Sequence, residues 1–232
     1  MSDPLRLILF DCDGTLIDSQ HMIVAAMEHA FTENGVPPLP RERVLSIVGL
    51  SLNEAIAHLL PEVEEERRLA VTRTYRDAFF DLRSKPELSE PVFEGMPAVL
   101  DALSREENLM LGIVTGKSDR GLEHILGLHD LRHYFVTLQT ADRHPSKPHP
   151  GMVHAALRET GAEAANTLVV GDTTFDMEMA RAAKAGALGV SWGYPPSDDL
   201  VRAGAHDVIH AVEALPARFS DWWTRLPDKE SS

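Results

Sequence analysis

Two aspartates one residue apart, Asp11 and Asp13, close the short apolar run Leu5 to Phe10 and are followed at once by Gly14 and Thr15. Carboxylates this close repel each other, so a cation or a shared proton is needed to hold them together. Three later apolar runs also lead into polar loops. Leu109–Val114 leads into Thr115-Gly116-Lys117-Ser118, and Tyr134–Leu138 is followed by Pro145-Ser146-Lys147-Pro148-His149-Pro150. Thr167–Val170 leads into Gly171-Asp172-Thr173-Thr174-Phe175-Asp176. Oxygen donors without a His or Cys cluster suit a hard cation, Mg²⁺ above all. The Thr115 hydroxyl and adjoining N–H groups, opening into a helix near Ser118, make an anion cradle. Four ionised aspartates would carry about −4 against +1 from Lys147, and a phosphate monoester adds nearly −2. Like charges a few ångströms apart repel by several kcal/mol per pair at intermediate dielectric. A phosphate bound there therefore requires the cation.

Each residue also has a plainer use. The first acidic pair could be a surface turn, since Asp and Gly are common in turns. Thr115 could be a helix cap, and Asp176, in the first turn of a helix, suits the macrodipole. Most loop lysines are solvated; the prolines around Lys147 hold it in place instead. Lys117 is expected at the surface, as is Glu178. His144 and His149 flank Lys147 without a ligand spacing and are expected on the loop or the rim of a substrate site. The repeat of one pattern at several strand ends favours a site.

Strand-like runs separated by helical stretches imply a parallel α/β sheet. Ala187–Ser191 and, more weakly, Asp207–His210 extend the series. Open sheets of this kind keep ligand crevices at the carboxyl ends of their strands. The interval between the first two strands is too long for one crossover. Met22–Phe31 is periodic and stops at Asn34-Gly35; Ser51-Leu52-Asn53-Glu54 reads as a capping box opening a helix that Pro61 ends. Glu62–Arg83 is a long amphipathic helix whose Leu69, Tyr75, Phe79 and Phe80 are expected in a core, and Lys85–Pro91 reads as an extended return linker. The expected division is an α/β core of residues 1–16 and 92–232 and a helical cap of residues 17–91, placed to act as a lid. Specificity is expected from the loop Val48-Gly49-Leu50-Ser51, with Arg41, Arg43 and Asn53 as further polar candidates. Phe219, Trp222 and Trp223 pack a last helix on the sheet or mark a dimer contact, so the chain is read as monomer or homodimer. Ser231-Ser232 is expected to fray.

The 232-residue chain carries a net charge of −14, 44% hydrophobic residues and one cysteine, Cys12. That charge argues against nucleic-acid binding, the lone thiol excludes a disulfide framework, and no apolar run reaches the ~20 residues of a membrane span. The N-terminus lacks the basic region of a signal peptide. A soluble, cytoplasmic protein is expected. Cys12 points away from its acidic neighbours.

The motifs Asp11-x-Asp13-Gly14-Thr15-Leu16-x-Asp18-Ser19, Thr115-Gly116, Lys147-Pro148 and Gly171-Asp172-x-x-x-Asp176 resemble those of the haloacid dehalogenase-like hydrolases. Within that family the chain looks most like the phosphoglycolate phosphatase branch, with a helical cap after the first strand. The resemblance implies a Rossmann-like α/β parallel-sheet core with an inserted α-helical cap domain. It implies that Asp11 is the nucleophile forming an aspartyl-phosphate and that Asp13 is the acid–base group. Thr115 and Gly116 would hold phosphoryl oxygens, with Lys147 neutralising charge. Mg²⁺ would be held by Asp11, the Asp13 carbonyl and Asp172, with Asp176 ligating through water or orienting Lys147. The acid at Asp13 distinguishes phosphate-ester hydrolysis from carbon–halogen and phosphonate cleavage. The expected partner is a small-molecule phosphate ester, phosphoglycolate or a sugar phosphate. A sugar-phosphate mutase of the same family and a phospho-receiver signalling domain are the alternatives; the receiver would be about half this length and lack the helical insertion.

Overall fold

One parallel sheet runs in the order β3-β2-β1-β4-β5-β6. Its strands are β1 (Arg6–Phe10), β2 (Leu109–Thr115), β3 (Phe135–Thr140), β4 (Thr167–Gly171), β5 (Gly186–Val190) and β6 (Asp207–Ile209). The computed structural model describes residues 4–83 and 85–225. Side chains alternate across a strand, and β1 divides its residues accordingly. Ile8 and Phe10 join Leu100, Leu126, Val170 and Phe219 in one apolar cluster, built with α5 (Met96–Leu103), α6 (Asp119–Leu128) and α10 (Leu215–Arg225). Leu7 and Leu9 join Met152, Val169, Met177 and Leu200 in another, built with α7 (Gly151–Thr160), α8 (Thr174–Ala182) and α9 (Asp198–Arg202). Burial on both faces explains why β1 and β4 read as unbroken apolar runs. The chain visits β2 and β3 on one side of β1, then β4 to β6 on the other. That reversal leaves a crevice at the carboxyl ends of β1, β2 and β4.

Between β1 and β2 lie α1 (Gln20–Glu33), α2 (Arg41–Leu45), α3 (Leu52–Leu59) and α4 (Glu65–Leu82). Met27, Phe31, Val44, Ile56, Leu60 and Val71 give this insertion an apolar cluster of its own, with α1 lying along α4. The outgoing and returning chains are tied at its base: Ile17 bridges Val92, and Asp18 N donates to Pro91 O at 2.8 Å. Among the described residues no helix is long and apolar enough to cross a membrane.

Several local expectations change. The return linker contains a 3₁₀ turn, Pro86–Leu88, and the short helix α2 was not visible in the periodicity. Ser51 stands at the N-cap of α3 in extended conformation but makes no side-chain cap bond; a complete capping box forms instead at Thr173 and Asp176. Leu69 and Phe80 are not core residues, being 43% and 55% exposed. Phe219 is buried while Trp222 and Trp223 are half-buried against the first cluster. The Ser231-Ser232 tail lies outside the described residues.

Candidate active site

The strand ends bring four of the expected residues into one buried knot. Asp11 follows β1 directly, and its N–H continues the ladder to Val170 O at 2.8 Å. Lys147, from the loop after β3, places Nζ 2.7 Å from Asp11 Oδ1 and 2.6 Å from Asp176 Oδ1. Asp176 Oδ2 accepts from Thr173 N at 3.2 Å and Thr173 Oγ1 at 2.7 Å, so the capping box of α8 also fixes the lysine's partner. Asp172, at the end of β4, accepts from Thr15 Oγ1 at 3.2 Å and from Tyr194 N at 3.1 Å. Gly14 makes this fit possible: its φ is +83°, and a Cβ there would stand 2.3 Å from Asp172 Oδ2.

Burial makes these charges interdependent. Burial pushes Asp11 up to about 7, with Lys147 opposing and Asp176 and Asp13 adding to the rise. Burial likewise raises Asp172 well above the usual carboxylate range, helped by Asp11 and Asp176. For Lys147, burial works against the charge, but Asp11 and Asp176 outweigh it and hold the ammonium above an ordinary lysine. Asp11 Oδ2 is buried with no hydrogen-bond partner. One oxygen from each of Asp11, Asp172 and Asp176 lies within 4.8 Å of the others. An orphaned carboxylate oxygen within an all-oxygen donor set fits a hard divalent cation.

Asp13 is held differently, and Lys117 is the main correction to the sequence reading. Rather than standing at the surface, its side chain is 10% exposed, with Nζ 2.8 Å from Asp13 Oδ1 and 3.5 Å from Glu90 Oε1. Ser19 Oγ donates to the same Asp13 oxygen. Asp13 and Glu90 outweigh the burial that disfavours the Lys117 ammonium and raise it above an ordinary lysine. Glu90 is buried in the return linker, so the insertion's base is linked electrostatically to the acidic motif. Nothing in the local sequence of Glu90 or Lys117 marks this pairing.

Thr115 is buried at the end of β2, and its Oγ1 accepts from Lys117 N at 3.2 Å, leaving the hydroxyl proton free to donate. At Gly116 a Cβ would stand 2.4 Å from Leu50 O, because the loop from residue 48 to 51 lies directly over it. Ser51 N donates to Ser146 Oγ at 2.8 Å, joining that loop to the loop carrying Lys147. A cavity of about 460 Å³ opens between insertion and sheet, with Asp11, Asp13 and Thr115 at one end and Phe79, Arg83 and Arg120 also lining it. Val48 to Ser51 and Asn53 line it too, whereas Arg41 and Arg43 do not; Arg41 bonds to Gln20 Oε1 at 2.6 Å. His144 bonds to Gln139 Oε1 and His149 Nδ1 accepts from Gly151 N, both within their own loop region. Glu178 is exposed, and Cys12 is buried in the apolar cluster below the site.

Residues 8–190 match the family described as "Haloacid dehalogenase-like hydrolase". The chain is 37% identical over 206 residues to "Probable phosphatase IndB" of Dickeya dadantii, covering 88% of each chain. It is 31% identical over 225 residues to the plasmid-encoded phosphoglycolate phosphatase of Cupriavidus necator, covering 94% of each. Among solved structures, a hydrolase from Pseudomonas syringae superposes with a TM-score of 0.82 at 28% identity, covering 93% of this chain and 98% of that one.

Proposed function

The chain belongs to the haloacid dehalogenase-like hydrolases and is a phosphatase of that family; from that membership we propose that it hydrolyses a small-molecule phosphate monoester, with Mg²⁺, through an aspartyl-phosphate on Asp11. The observation that carries the reading is the Asp11 carboxylate: buried, ion-paired to Lys147 at 2.7 Å, and with Oδ2 free of partners at the end of the cavity. In this reading an Asp11 oxygen attacks phosphorus as the ester P–O bond breaks. Asp13 gives its proton to the departing alkoxide, then takes one from the water that attacks phosphorus and frees Asp11. Such acid–base work contributes typically ~10²–10⁴-fold.

The Thr115 hydroxyl and the N–H groups at Gly116 hold phosphoryl oxygens, and Lys147 holds positive charge against Asp11 and the transferring group. The residues that would hold Mg²⁺ are Asp11, the Asp13 carbonyl and Asp172; Asp176, with both oxygens already accepting hydrogen bonds, serves chiefly to orient Lys147. When bound, the cation supplies charge neutralisation for the acids and the phosphoryl oxygens. Cap residues close over the leaving group. Phosphoglycolate, the substrate in the Cupriavidus relative's name, is one candidate ester.

A panel of phosphomonoesters assayed for free phosphate with Mg²⁺ tests this, alongside acid-quenched mass spectrometry for a phosphorylated Asp11. Full turnover in chelator would sink the metal assignment. Isomer formation without phosphate release would turn the reading toward a mutase.

A further inference from the structure

The cavity that holds Asp11 and Asp13 is also lined by two arginines, Arg83 and Arg120, and by the Phe79 ring, whose centre lies 5.3 Å from Lys117 Nζ. Tyr75 and Phe79 of α4 and Arg83, the capping residue at its end, follow at four-residue spacing on one face, with Phe80 beside them. The Arg83 guanidinium lies 5.5 Å from the Phe79 ring centre, and the Arg120 guanidinium, from α6, lies 4.7 Å from that of Phe80. Both distances suit cation–π contact. One arginine thus comes from the insertion and the other from the sheet side, over neighbouring rings. All four residues line the cavity that holds Asp11 and Asp13.

Lys117 shares the Phe79 ring with Arg83 but differs from the two arginines in its carboxylate partners. Lys117 is matched by Asp13 and Glu90. Among the described residues, neither Arg83 nor Arg120 has a carboxylate at ion-pair distance, and Arg83 Nε is buried without a hydrogen-bond partner. Burial lowers the Arg83 pKa, Arg120 adds to that lowering, and only Glu90 opposes it. A chain of net charge −14 repels anions at large, so a guanidinium pair at the mouth of an acidic site supplies local attraction that the rest of the surface lacks. Guanidinium forks match carboxylate and phosphate geometry, often bidentately. The cavity, about 460 Å³, is within the range that holds drug-sized ligands and exceeds the needs of a two-carbon acid.

We propose that Arg83 and Arg120 form a second anion subsite, which takes an acidic group at the far end of the substrate's alcohol half while Phe79 and Phe80 pack against the carbon skeleton between. The substrate is then a phosphomonoester carrying a second negative charge, larger than phosphoglycolate. This rests on the phosphatase reading for the phosphate end only.

The test separates binding from turnover. Calorimetry with Mg²⁺ compares a series of ω-phosphono carboxylates of increasing chain length with their amides and with bis-phosphonates, none of which is hydrolysed. At one preferred length the acid should bind about ten- to a hundredfold more tightly than its amide, and added salt should shrink the gap. The bis-phosphonate arm tells a carboxylate from a phosphate at the far end. Arg83→Gln with Arg120→Gln should bring acid and amide within about twofold, and the Arg→Lys pair should restore part of the gap. Equal binding of acid and amide at every length in the unaltered protein overturns the subsite, with no variant needed. Hydrolysis of the matching phosphate esters is measured separately. If none is cleaved while the acid preference stands, the phosphatase reading fails and the subsite survives.

Discussion

The floor and the mouth of the cavity are both rich in charge, yet they are built on opposite plans. At the floor, Asp11, Lys147, Asp172 and Asp176 are 0–2% exposed and hold one another from strand ends and the first turn of a helix. At the mouth, Arg83, Arg120 and Phe80 stand on helix surfaces, with Phe80 more than half exposed. Burying a charge is costly unless it is paired and hydrogen-bonded, so the floor tolerates one arrangement. Arg120 is exposed and Arg83 only half-buried, so these cations cost less to hold than the charges of the floor, and the mouth can vary. Reaction chemistry belongs where the geometry is forced, and choice of substrate where it is free.

The largest effects should come from the floor. Asp11→Asn should lower kcat by about 10⁴-fold or more in a phosphate-release assay, as expected for loss of a nucleophile. Lys147→Met leaves Asp11 and Asp176 uncompensated in the interior and should cost about 3–5 kcal/mol in urea unfolding. Arg120→Gln at the mouth should stay within about 0.5 kcal/mol. Equal stabilities for those two variants would erase the contrast.

Lys117→Met should fall between. It removes the charge that holds Asp13 and answers Glu90, so kcat should fall about 10–10²-fold for an alkyl phosphate. The loss should be smaller for p-nitrophenyl phosphate, whose leaving group needs little protonation. A uniform loss across leaving groups would mean that Lys117 acts on binding and not on the acid.

A titration sharpens the same contrast. Asp11 is raised from 3.8 to about 7 in the fold, so between those values the folded state binds more protons than the unfolded one. Stability from this group therefore falls as pH rises through that window, and Asp172, also raised, adds to the fall. Mg²⁺ should raise Tm more above about pH 7 than at the acid end of the window, because it compensates carboxylates that are then ionised. Asp11→Asn should flatten that dependence, and a Tm gain independent of pH would contradict it. The smallest effect is at Phe80. Phe80→Ala should change stability by less than about 0.5 kcal/mol, yet raise KM for an acid-tailed ester about two- to fivefold through the lost contact with Arg120.

Much of the floor was legible in the sequence because its parts are local. An apolar run, an acid and a glycine specify a strand end and a turn, and an acid a few residues past the β4 strand end falls in the first turn of the next helix. The capping box that Asp176 completes with Thr173 was seen only in the structure. Lys117 was misread because a lysine in a polar loop looks solvated until Glu90, distant in sequence, is seen beside it. Tyr75, Phe79 and Phe80 read as core from helical spacing; Tyr75 and Phe79 do pack against the insertion's cluster, but Phe80 does not, because periodicity marks a helix face without saying what covers it. Here part of that face borders the cavity. Ser51 stands at the N-cap position of α3, but its N–H bonds across to Ser146 and its side chain makes no bond to the helix.

The sequence by itself determined which residues could carry phosphoryl chemistry and that parallel strands would deliver them to one edge, since both follow from neighbours along the chain. Only the tertiary structure decided which charges meet: Lys147 with Asp11 and Asp176, and Lys117 with Asp13 and Glu90. Electrostatic partnership depends on distance and burial in space, and those are set by packing between elements far apart in the chain.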